Sequence, residues 1–130
     1  KTNMREILFK AKRVDNGEWV EGDLVTNKPS HSYRIITNFG LCVDGKYAGN
    51  NLHHISGEIH LVHPKTVCQY TGLKDKNGNN IFEGDLITYR ETFELPLTET
   101  VEWKGSHYSF DGDLLYDWND LIEITGNRHD

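Results

Sequence analysis

At 130 residues the chain has room for one compact domain or two very small ones, and with 36% hydrophobic and 26% charged residues it is no disordered tail. Its net charge of -6 repels phosphate unless the basic residues gather on one face, which disfavours nucleic acid as a partner. No apolar run approaches the roughly 20 residues of a membrane span, and the opening KTNMREILFKAKR lacks the apolar stretch of a signal peptide, so no membrane association is expected and the cytoplasm is the expected compartment.

Two-residue alternation dominates the chain. Ile7, Phe9 and Ala11 alternate with Leu8 and Lys10, which predicts a first strand. Residues 14–26, VDNGEWVEGDLVT, follow with an Asn16-Gly17 turn signal, the apolar pair Trp19 and Val20, and Glu21-Gly22-Asp23 before the next strand. Asn-Gly favours a type I′ hairpin turn, which needs positive φ at both central residues. Gly22 is expected to supply a second bend, with Asp23 bonding the backbone N–H groups freed there. Further on, Ile59 and Leu61 alternate with Glu58, His60 and Val62 in another strand, and Pro64 marks a boundary.

Residues 75–88, DKNGNNIFEGDLIT, then repeat the earlier layout with one extra residue. Asn77-Gly78 stands for the turn, Ile81 and Phe82 for the apolar pair, and Glu83-Gly84-Asp85 for the bend. Val101 and Trp103 alternate with Glu102 and lead through a turn at residues 104–106 to Tyr108 and Phe110, the signature of a hairpin. FDGDLL at residues 110–115 is a weaker echo, and YDWND at 116–120 is the sole helical scrap. The expected fold is mainly β: two small β units, residues 4–63 and 64–130, with at most one short helix.

Chemistry-bearing residues are present, but no catalytic constellation emerges from them. Glu83 and Asp85, with Asp75 near, could form an acid–base or metal-binding pair; the same triplet at 21–23 favours a structural reading instead. His53, His54, His60 and His63 crowd one region, yet alternation puts His60 and His63 on opposite faces, so scattered surface histidines are expected and no metal. Cys42 and Cys68 form no CxxC pair, and Cys68 falls in a predicted strand as a buried, inert thiol. No GxSxG, GxGxxG or GxxxxGK[ST] occurs, so neither an activated serine nor a phosphate loop is expected, and no cofactor. Among the aromatics, Trp118, flanked by Asp117 and Asp120, is the candidate for a surface ring that meets a basic protein segment.

The stretch QYTGLKDKNGNNIFEGDLITY, residues 69–89, resembles the hallmark of the YopX family of bacteriophage and prophage proteins. The matching positions are Gln69, Tyr70, Thr71, Gly72, Leu73, Asp75, Asn77, Gly78, Glu83, Gly84 and Asp85. Met4, Arg5, Glu6 and Ile7 with Phe9 and Ala11 are similar to the family's start, and Ile124, Gly126 and Asn127 to its close. The resemblance implies an all-β architecture, an SH3-type small barrel over residues 64–130, and no catalytic residues. The expected function is that of a phage- or prophage-encoded, non-catalytic protein-binding or adaptor module of the host cytoplasm. Its partner would be a host or phage protein, and strand edges make self-association a further expectation. A nucleic-acid-binding small barrel and a metal-dependent hydrolase using Glu83, Asp85 and nearby histidines are the alternatives.

Overall fold

The computed structural model describes residues 6–43, 52–89, 97–104, 108–110, 113–115 and 119–130. The described residues are mainly β, and the chain divides into two units: Leu8–Val67, and Cys68–Asp130 with Lys1–Ile7.

The first unit is an antiparallel meander of β1 (Phe9–Lys12), β2 (Trp19–Asn27), β3 (Ser32–Val43) and β4 (Leu52–Val62). Its last strand returns to its first. Arg13 bridges Val62, the Val14 N–H donates to the Leu61 carbonyl and the His63 N–H to that of Lys12, both at 2.9 Å. Register puts Ile35 beside Leu24 and His60. On that inner side Ala11, Ile35 and Val62 form a buried core, with Phe9, Val20, Leu24, Tyr33 and Val67 packed against it. The alternation expected over residues 58–62 is present with its faces exchanged. Val62 is buried, whereas Ile59 and Leu61 are 65% and 44% exposed. With apolar residues on both faces of the strand, periodicity alone could not say which one the small core would cover.

In the second unit, β5 (Cys68–Lys74) and β6 (Asn80–Phe82) form a hairpin. β7 (Asp85–Tyr89) lies between β8 (Leu97–Thr100) and β12 (Glu123–Asn127). β9 (Glu102–Trp103), β10 (Tyr108–Phe110) and β11 (Asp113–Leu114) make a further three-stranded sheet. Ile81, Ile87, Tyr89, Val101, Tyr108, Leu115 and Ile122 are its core, with Leu73 and Ile124 against them. The hairpin expected around residue 105 is there in its strands, Trp103 facing Tyr108 and Glu102 facing Ser109; residues 105–107 of its turn lie outside the described residues. Of the helical scrap, Asn119 and Asp120 fall in a 3-10 turn, Asn119–Leu121, and residues 116–118 lie outside.

Both Asn-Gly pairs are turns, but neither is type I′. Gly17 and Gly78 have φ of +73° and +82°, while Asn16 and Asn77 are not in the positive-φ region. At the first, the Gly17 N–H reaches back to the Arg13 carbonyl at 2.9 Å, which makes a longer loop with the glycine as its left-handed exit. At the second, the Gly78 N–H donates to the Asp75 carbonyl at 3.0 Å, and the loop closes when the Asp75 N–H meets the Asn79 carbonyl at 2.9 Å. A Cβ on Gly78 would meet nothing within 4 Å, so only backbone strain opposes one. Gly78→Ala is therefore expected to cost about 1 to 2 kcal/mol in chemical denaturation, the penalty of a left-handed non-glycine residue.

The two Glu-Gly-Asp triplets differ outright. Glu83-Gly84 is a tight turn between β6 and β7, with Gly84 at φ +87°. Glu21-Gly22-Asp23 is no bend: it lies inside continuous β2, and Gly22 does not have positive φ. Gly22 is needed there for space, since a Cβ would stand 2.2 Å from the Ile36 carbonyl oxygen.

Candidate functional site

Most of the 69–89 stretch is occupied with its own folding. Asp75, 4% exposed, turns one carboxylate oxygen to the N–H groups of Asn77 and Asn79, both at 2.9 Å, and the other to the N–H of Ile124 at 3.1 Å. Asp85 is wholly buried. Its Oδ2 accepts the Phe82 N–H at 2.7 Å and closes the Glu83-Gly84 turn, while its Oδ1 accepts the side-chain amide of Asn127 at 2.9 Å. Asn127 Oδ1 in turn accepts the His129 N–H at 2.9 Å. The Thr71 hydroxyl donates to the Ile81 carbonyl at 2.7 Å. Gly72, at φ +87°, sits in the register shift between Tyr70 and Lys74. Tyr70 stacks obliquely on Phe82, ring centres 5.6 Å apart, and burial, with Glu6 adding to it, raises its phenol pKa. Asn77 reaches Glu123 Oε1 at 3.1 Å. Buried polar groups must be hydrogen-bonded, and Thr71, Asp75, Asp85 and Asn127 are.

Gln69 and Glu83 stand apart from this pattern. Their backbones pair, the Glu83 N–H donating to the Gln69 carbonyl at 2.9 Å. Alternation explains where the Gln69 side chain goes: it lies between buried Cys68 and Tyr70 and is only partly buried. Together with Trp103 and Tyr108, Gln69 and Glu83 line a shallow depression. Trp103 is 45% exposed and meets Tyr108 edge-on, ring centres 4.9 Å apart and planes at 63°. Among the described residues, the Gln69 amide, the Glu83 carboxylate and the Trp103 indole N–H have no hydrogen-bond partner.

The neighbouring charges are differently placed. Glu102 pairs with Lys104 at 2.9 Å, and that hydrogen bond holds its carboxyl below the usual range. Arg128 runs across Gly84, its Nε 3.1 Å from where a Cβ would stand, and directs that Nε to the His129 ring at 3.4 Å. Glu83 is left as an unpaired carboxylate beside an exposed indole.

A second depression, in the first unit, is lined by Arg13, Val14, Asp15, Ile59, His60 and Leu61. Its charges answer one another. Arg13 grips Asp15 through two contacts, of 3.0 and 2.6 Å, and that hydrogen bonding raises the arginine's pKa and lowers the aspartate's. His60 faces Glu58 at 3.6 Å and the Thr37 hydroxyl at 3.4 Å.

The remaining sequence candidates are scattered. Asp120 is exposed on the 3-10 turn, while Asp117 and Trp118 lie outside the described residues. His63 is exposed at the end of β4, and nothing is described of the side chains of His53, His54 and Cys42. Cys68 is buried, its sulfur 3.8 Å from the Asn127 amide. Among the described residues no group of three or more His, Cys, Asp and Glu side chains could hold a metal ion, and no helix is long and apolar enough to cross a membrane. Glu83 and Asp85 do not act as a pair, for one lines a surface depression and the other is sealed beneath the turn. Sequence reasoning overlooked Trp103 as a surface ring and Glu83 as an outward carboxylate. The available signal was position: Trp103 is the last apolar residue before a turn, where a strand's alternation no longer ensures burial.

The YopX protein family matches residues 8–128. The chain belongs to the YopX family. Within it, the Asp75 and Asp85 networks lie in the stretch that carries the family resemblance, and the Trp103 depression borders that stretch. The crystal structure of protein EF1440 from Enterococcus faecalis is similar to this YopX chain with a TM-score of 0.63 and 22% sequence identity, over 97% of this chain and 95% of that one. That likeness is one of fold. No curated protein matches the chain.

Proposed function

We propose that this YopX protein is a non-catalytic binding or adaptor module, encoded by a phage or prophage and working in the host cytoplasm, that holds another protein at the depression formed by Gln69, Glu83, Trp103 and Tyr108. The observation that carries the reading is the contrast within one short stretch. Asp75 and Asp85 are engaged by backbone and amide groups, while the side chains of Gln69 and Glu83 make no hydrogen bond among the described residues and line a depression with an exposed tryptophan. An amphipathic ring ringed by unpaired polar groups is the composition of an interface anchor. The SH3-type expectation for residues 64–130 belongs with this proposal, because small barrels of that kind grip extended segments on surface aromatics.

The test is affinity capture by the immobilised full chain from a prophage-bearing host, with identification of what is held. Wild-type protein is expected to retain a defined protein that Trp103→Ala loses, while the variant's stability falls by no more than about 1 kcal/mol because the ring is half exposed. Equal retention by both forms, or nothing above background across varied salt, would remove the reading.

A further inference from the structure

We infer that the depression receives the guanidinium of an arginine side chain carried by the partner polypeptide, an assignment that rests on the protein-binding reading above and adds the chemistry of what is bound. Three groups of the chain itself point to it. The Trp103 ring is open to solvent and braced edge-on by Tyr108 at 4.9 Å, so one face can take a flat cation. The Glu83 carboxylate lines the same depression with no cation paired to it among the described residues, and a carboxylate offers the two acceptors that a guanidinium fork fits. The Gln69 side-chain carbonyl supplies a third acceptor on that wall.

The complementary charge excludes other occupants. A phosphate or carboxylate would meet Glu83 with like charge, and the chain's net charge of -6 adds to the repulsion. A purely apolar side chain would strip water from Glu83 and Gln69 and return no hydrogen bond. A lysine ammonium satisfies the charge but neither lies flat on the indole nor forks to the carboxylate, which places it below arginine. The chain's own Arg128 does not fill the role, since its Nε is turned to the His129 ring at 3.4 Å.

The experiment is a titration of the isotope-labelled full chain, observed by NMR, with a blocked glycine-flanked arginine peptide, its lysine counterpart and its citrulline isostere. Citrulline keeps the planar shape and removes the charge. Arginine is expected to move the Trp103 indole N–H and Gln69 side-chain amide signals together and saturably, on the order of millimolar affinity for so small a probe. Lysine should bind more weakly and citrulline hardly at all. Glu83→Gln should weaken the arginine response about tenfold, the loss of one charge-assisted contact, with the rest of the spectrum in place. Citrulline acting as well as arginine, shifts spread over other acidic residues, or no saturable shift at all would each overturn the inference. If arginine fails while Trp103-dependent capture persists, the guanidinium assignment falls and the protein-binding reading stands; if both fail, both fall.

Discussion

Asp85→Ala is expected to destabilise the protein by about 3 to 5 kcal/mol, a loss large enough to threaten folding of so small a unit. The side chain is fully buried and both oxygens are in use, on the Phe82 N–H and the Asn127 amide. Removing it strands two donors, and each buried donor left without an acceptor costs about 1 to 3 kcal/mol, before the space vacated is counted. Asp85→Asn is the sharper probe. Its single carbonyl oxygen can still serve Phe82, but its NH2 then confronts the NH2 of Asn127. Rotating the Asn127 amide would relieve that clash only by withdrawing the oxygen that accepts the His129 N–H. The asparagine variant is therefore expected to lie between wild type and alanine. Glu83→Gln, two residues away, should change the unfolding free energy by less than about 0.5 kcal/mol, because its carboxylate makes no hydrogen bond among the described residues. Urea denaturation of the three variants checks the order. If Glu83→Gln were to prove as damaging as Asp85→Ala, the separation of buried acid from surface acid would be wrong.

That contrast marks where the sequence could and could not be read. Glycine before Asp85 signalled a turn, and an aspartate beside freed backbone groups is a reasonable acceptor, so the bond to Phe82 was within reach of local reasoning. Asn127 lies 42 residues further on, and no periodicity or spacing links the two. The Asp75 loop is similar. Asn-Gly announced a turn correctly, but its type depends on how many residues the loop holds and on a carboxylate that takes two amides at once. Alternation found β1, β4 and the β9–β10 pair, yet it could not choose the covered face of β4, because Ile59 and Leu61 are as apolar as Val62. The candidate site was less legible than the fold. A tryptophan at a strand's end looks the same whether it is packed or exposed, and the attention drawn to Trp118 by its acidic neighbours passed over Trp103.

Gly22→Ala is expected to cost about 3 kcal/mol or more, and more than the same change at Gly84 or Gly78, although both of those carry positive φ and Gly22 does not. The glycine of β2 faces Phe9 across the β1 ladder, and a Cβ built on it stands 2.2 Å from the Ile36 carbonyl oxygen and 2.9 Å from its carbon. Ile35 Cγ2, on a fully buried core residue, is 3.0 Å away. A carbonyl held in a sheet cannot swing aside as a side chain can, so β2 and β3 must separate where Asp23 faces Ile36, or Ile35 must leave its place in the core. At Gly84 the nearest atom is the Nε of Arg128 at 3.1 Å, part of a flexible side chain, and the cost there reduces to the left-handed backbone, about 1 to 2 kcal/mol. The same three letters, Glu-Gly-Asp, thus use their glycine for opposite reasons: room in one place, rotation in the other. Measured by denaturation, a Gly22→Ala variant no worse than Gly78→Ala would mean that the β3 backbone does not approach β2 so closely, and the packing of Ile35 in the first unit would have to be redrawn.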